Sequence, residues 1–165
     1  MSPRPESAGQ LSHVASDGTA RMVDVGGKPE SSRMARATGQ ITMSPATLEA
    51  IVGNTIAKGD VLGVARVAGI MAAKRAAELI PLCHPLPLTD VAVTFVTDST
   101  LPGVRVEAIV RCVGRTGVEM EALAAATIAL LTVYDMAKAM DKSMVLNDIS
   151  LAEKTGGAGG PYARA

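Results

Sequence analysis

Apolar positions along this chain follow two periods, and each assigns elements. Val61, Val64, Ala65, Ala68, Ala72, Ala76 and Leu79 keep a helical spacing, so residues 61–80 are predicted as one long helix, capped by Asp60 and stopped by Pro81. Residues 114–142 read as a second helix. The 13 residues from Ala122 to Tyr134 carry no charge and have Ala, Leu, Ile and Val on every side, so this helix must be covered on more than one face. Charge returns only at its ends, with Glu119 and Glu121 in the first turn and Asp135, Lys138 and Lys142 in the last ones. The uncharged run is shorter than the roughly 20 residues a bilayer requires, which makes it a core or interface helix. A period of two takes over elsewhere. Val91, Val93 and Phe95 alternate within 89–98, and Val104, Val106, Ala108, Val110 and Cys112 within 104–113, joined by a hairpin through Pro102-Gly103. Residues 33–43 form an irregular strand with Gly39 as a candidate bulge, residues 144–154 a last strand, and 22–27 a short strand-like piece. Ser44 and Pro45 open a short helix to about Gly53.

Strand, helix, strand, strand, helix, strand is the order of the α+β ferredoxin-like split βαββαβ fold, with two alanine-rich helices on one face of a four-stranded antiparallel sheet. The expected division is a mobile N-terminal arm over 1–20, one domain over 21–157 and a flexible glycine-rich tail over 158–165. Composition sharpens this picture. Aromatic residues make up 2% of the 165 positions, so the core must be built from Ala, Val, Ile, Leu and Met at close helix approach. Sixteen basic residues balance sixteen acidic ones, which argues against a general polyanion partner such as nucleic acid. The first residues lack the apolar run of a signal peptide, so a reducing cytoplasm with free thiols is the expected setting.

Several side chains stand where chemistry is done. Pro81, Pro85 and Pro87 hold Leu82, Cys83 and His84 on a stiff loop before a strand, although a hydrogen-bonded structural histidine fits the same pattern. Lys58 precedes a capped helix and can face either an anionic ligand or water. Asp135 and Lys138 share a helix face at i, i+3. Gly114-Arg115-Thr116-Gly117 joins a strand to a helix N-terminus, where backbone N–H groups can hold an anion, and Lys154-Thr155-Gly156-Gly157 has the composition of a phosphate loop without its order. A metal site at Cys83 and His84 is the less favoured reading, because zinc needs three or four Cys or His ligands and Cys83, Cys112, His13 and His84 are all the chain has. The set suits a phosphorylated small molecule handled by acid/base chemistry.

The motifs MVDV (22–25), KGDV (58–61), ARVAGI-AAKR (65–75), LIPLCHPL (79–86), TGVEMEAL (116–123) and YDM-KA (134–139) together resemble the MoaC family of molybdenum cofactor biosynthesis, the cyclic pyranopterin monophosphate synthases, from about Leu11 to Gly157. The resemblance implies a hexamer of three dimers, and because Glu121 and Asp135 are 14 residues apart, ~21 Å along one helix, sites at subunit interfaces are expected. It also implies conversion of 3′,8-cyclo-7,8-dihydroguanosine 5′-triphosphate into cyclic pyranopterin monophosphate and pyrophosphate. By motif, Lys58, Asp135 and Lys138 fall on catalytic positions, and Leu82, Cys83, His84, Glu119, Met120, Glu121 and Lys154 on substrate-binding ones. No redox cofactor is implied, and a triphosphate can bring Mg²⁺ with it. Competing classes are a non-catalytic nucleotide-binding regulator of the same topology, a zinc-dependent hydrolase opening guanosine triphosphate, and an RNA-binding module. The last would need stacking aromatics that one Phe and two Tyr hardly supply.

Overall fold

The computed structural model describes residues 18–164, so the expected arm over 1–20 lies almost wholly outside the described residues. Strand β1 (Ser31–Thr42) leads through helices α1 (Pro45–Val52), α2 (Val61–Lys74) and α3 (Ala76–Leu79) to a hairpin of β2 (Leu88–Asp98) and β3 (Gly103–Gly114). Helix α4 (Glu119–Ala137) then returns the chain to β4 (Val145–Thr155), and β5 (Tyr162–Ala163) ends it. The class is α+β. One open sheet runs β2-β3-β1-β4-β5, antiparallel at every pairing. It has five strands where four were expected, because Tyr162 and Ala163, in the segment read as a loose tail, pair with Lys154 and Glu153.

The alternation in β1 and β3 turns Ala35, Ala37, Ile41, Val104, Val106, Ala108 and Val110 to one face, where all are fully or almost fully buried. Helices α2 and α4 cover that face. Half of the apolar window of α4 is buried, so although its length and composition would let it cross a membrane, here it is a core helix. Small residues set the helix spacing: a Cβ on Gly69 of α2 would stand 2.9 Å from the Ala125 carbonyl oxygen and 3.2 Å from the Ala129 Cβ of α4. The other sheet face is polar, with Arg36 bridging Glu107 and Glu153 at 3.2 and 3.3 Å.

Local chemistry explains where the elements depart from expectation. Residues 22–27 make no strand; Gly26 and Gly27 turn the chain, and Asp24 accepts the Gly26 N–H at 2.8 Å. The helix expected over 61–80 divides at Arg75, whose N–H bonds back to the Ala72 carbonyl in a tighter turn. The expected 114–142 helix is shorter at both ends. Gly114 is still needed by β3, and Asp141 diverts the chain after Ala137 by accepting the Ser44 and Ser143 N–H groups at 2.8 and 2.9 Å. Ser44 and Asp60 cap α1 and α2 as expected, accepting from Thr47 and Gly63. Register slips beside Gly39, but the extra residue belongs to β4: Thr38 and Gln40 pair with Ser150 and Asn147, and Asp148 takes φ of 54°. Gly39 itself marks a close approach, since a Cβ there would lie 3.0 Å from both Ile149 and Leu130.

Candidate active site

The proline loop between α3 and β2 delivers Leu82, Cys83 and His84 to the N-terminal end of α4. His84 Nε2 lies 2.7 Å from the Val23 carbonyl oxygen, so the irregular N-terminal stretch is pinned across the loop. The Cys83 thiol has two acceptors in reach, Glu121 Oε1 at 3.4 Å and the His84 carbonyl oxygen at 3.7 Å, and the shorter contact is the one to the carboxylate. Burial first, then the charge of Glu121 and the hydrogen bond to it, push that thiol up to about 11. Glu121 is 3% exposed and its Oε2 has no partner, and burial raises its carboxyl above the ordinary range. Leu82, Cys83, His84 and Met120 line a cavity of about 490 Å³ with Val23 and Lys28.

A smaller, basic cavity of about 200 Å³ adjoins it, sharing Lys28, Thr116, Gly117 and Glu119. Lys28, Arg33, Arg115 and Lys154 supply its cations. Lys154 Nζ is 3.1 Å from Glu119 Oε1. Arg33 donates to the Gly114 and Arg115 carbonyls, and Arg115 to the Gly26 carbonyl at 2.8 Å, so the two arginines also shape the turn that opens α4. Gly156 and Gly157, at φ of 89° and 82°, bend the chain past Arg33.

Lys58, Asp135 and Lys138 meet at the opposite end of α4. Lys58 Nζ donates to the Asp135 carbonyl at 2.8 Å and to its Oδ2 at 3.1 Å, while Lys138 Nζ reaches Oδ1 at 2.6 Å. Hydrogen bonds and charge from Lys138, then Lys58, hold the Asp135 carboxyl below its ordinary value, and Asp135 in turn raises the Lys138 ammonium. All three side chains are about half exposed, so this is a surface cluster of one acceptor and two donors open to a ligand. The predicted residues therefore form two groups, not one. Glu119 and Asp135 are 16 residues apart, ~24 Å along the helix at ~1.5 Å per residue.

A family model of the MoaC family matches residues 22–157. The chain belongs to the MoaC family. Cyclic pyranopterin monophosphate synthases of Brucella ovis and Brucella melitensis are each 56% identical to it over 156 residues, covering 94% of both chains, and that of Brucella canis is 55% identical over the same span. Both side-chain groups fall inside the MoaC match, while β5 lies beyond it. Sequence reasoning missed Lys28, Arg33 and Arg115 as cavity residues. Arg115 sits inside the glycine turn already singled out for anion binding and was the findable one; Arg33 reads as an ordinary strand residue until β1 is paired with β3. Among the described residues no three His, Cys, Asp or Glu side chains are grouped to hold a metal. Another cavity, about 460 Å³ on the polar sheet face, holds none of the predicted residues, and its Arg105 is already paired with Asp98 and Gln40.

Proposed function

We infer that this chain is a lyase of molybdenum cofactor biosynthesis that converts 3′,8-cyclo-7,8-dihydroguanosine 5′-triphosphate into cyclic pyranopterin monophosphate and releases pyrophosphate. The observation that carries the reading is the pair of adjoining cavities beside the Leu82–His84 loop. One is large and mostly apolar and suits the fused ring; the other is ringed by Lys28, Arg33, Arg115 and Lys154 and suits the triphosphate. Cations there would also stabilise pyrophosphate as it departs. Lys58 and Lys138 move protons during purine opening and pterin closure, with Asp135 orienting both ammonium groups. The fold is read as ferredoxin-like with β5 appended, the chain as cytoplasmic, and no redox cofactor takes part; Mg²⁺ enters only with the phosphates.

The site is assembled from two chains within a hexamer of three dimers. Support comes from the two half-sites at opposite ends of α4 and from the outward face of the helix layer, where Val64, Val67, Met71, Met120 and Leu131 stand 37–57% exposed. A two-fold related copy covering that face in antiparallel fashion would bring the Glu119 end of one α4 to the Asp135 end of the other. Incubation of the protein with the cyclised nucleotide, followed by assays for pyrophosphate and for an oxidised fluorescent pterin, tests the activity. Stoichiometric release of both is expected. Tight binding without turnover would replace the enzyme by a nucleotide-binding regulatory module.

A further inference from the structure

Burying a carboxyl with one oxygen unpaired costs stability that an apolar side chain would not. Glu121 does this directly beneath the loop that presents His84. Among the described residues, its contact with Cys83 is the one side-chain hydrogen bond joining that loop to α4. We propose that Glu121 is a positioning residue: by accepting the Cys83 S–H it fixes the Leu82–His84 loop at the height from which His84 faces the cleft. Three prolines make the loop stiff, so the Cys83–Glu121 contact on the α4 side and the His84–Val23 contact on the other set the whole segment. A thiol is a weak donor, and it becomes an effective one only against a charged or nearly charged acceptor in a dry place.

The surroundings fit such an anchor. Glu121 forms no ion pair among the described residues; Glu119, the neighbouring acid on α4, is tied to Lys154. Cys112 of β3 faces Glu121 from the sheet side, and burial and that carboxylate raise its thiol too, with Arg33 pulling the other way. Cys83 is itself pushed up to about 11, so it remains a thiol and a donor throughout the neutral range. Its part in the proline loop is therefore to hold position, with neither metal binding nor nucleophilic attack assigned to it.

The test has two arms, and only the second rests on the proposed function. In the first, iodoacetamide alkylation of Cys83 in the full-length protein is followed by peptide mapping across pH 7 to 10.5. Wild-type rates should still be climbing at the top of the range, whereas an ordinary thiol, with pKa near ~8.5, levels off around pH 9.5. Glu121→Gln removes the charge and should shift the curve to lower pH. In the second, Cys83→Ala should raise KM for the cyclised nucleotide about fivefold with kcat within about twofold, and Cys83→Ser, which keeps a donor, should recover most of the loss. An alkylation curve unmoved by Glu121→Gln overturns the proposal, as does a Cys83→Ser variant no better than Cys83→Ala. If Glu121→Gln does not fold, a wild-type curve that levels off like an ordinary thiol overturns it alone.

Discussion

Sharing of each site between two chains can be measured by subunit mixing. Lys154 of β4 is paired with Glu119 at one end of α4, and Asp135 stands ~24 Å of helix rise from Glu119 at the other; both Lys154 and Asp135 are partly exposed, so Lys154→Ala and Asp135→Ala proteins should each fold while losing activity. Unfolded together in equal amounts and reassembled, the chains pair at random across a two-fold interface, and about half of the pairs are mixed. In a mixed pair one composite site receives both damaged ends and the other receives two intact ones. Half of the sites in half of the pairs gives about a quarter of wild-type turnover, whether or not three such pairs then form a hexamer. Pyrophosphate release from the mixture is compared with each parent alone, and mass-tagged subunits confirm that mixed pairs exist. Recovery near a quarter supports shared sites. Background activity from confirmed mixed pairs would refute the argument from helix length and assign a complete site to every chain.

Further outcomes follow from single contacts. Gly69→Val should destabilise the chain by about 2 kcal/mol, read as a lower urea midpoint, because its Cβ would meet the Ala125 carbonyl at 2.9 Å and overpacking exceeds the gain in helix propensity. Glu121 has its folded pKa raised, so its contribution is fully present below the unfolded value of ~4.3 and is lost as pH rises through the folded one. The melting temperature of Glu121→Gln relative to wild type should therefore be higher at pH 8 than at pH 4. Lys58→Met removes one of the two donors on Asp135, so the carboxyl should titrate at higher pH by carbon NMR while remaining below an ordinary aspartate because Lys138 stays. Elemental analysis of purified protein should find no stoichiometric zinc, since Cys83, Cys112, His13 and His84 are the only soft donors in the chain.

Periodicity made the sheet and both long helices legible because their apolar positions repeat over ten or more residues, and Ser44 and Asp60 marked the starts of α1 and α2 by side-chain chemistry alone. What escaped depended on contacts between distant residues. Tyr162 and Ala163 carry no strand signal of their own and become a strand only because the outer edge of β4 is open beside Lys154. Asp148, not Gly39, absorbs the register slip, since a glycine marks a tight place without saying which strand holds the extra residue. Lys58 and Asp135, 77 residues apart, could be joined beforehand only by resemblance. The anchoring of Cys83 by Glu121 was invisible for the same reason.

The fully buried core runs from Ala35 to Met144, yet the cavities borrow from outside it: Val23 and Lys28 before β1, Gly156 and Gly159 after β4. The segments just before β1 and just after β4 thus belong to the cleft and not to the core. A preparation nicked by protease at residues 20–30 or 156–160 would melt much like intact protein and show near-normal circular dichroism while binding ligand poorly. Thermal stability is accordingly the wrong assay of purity for this molecule. Intact mass or ligand titration would count competent sites.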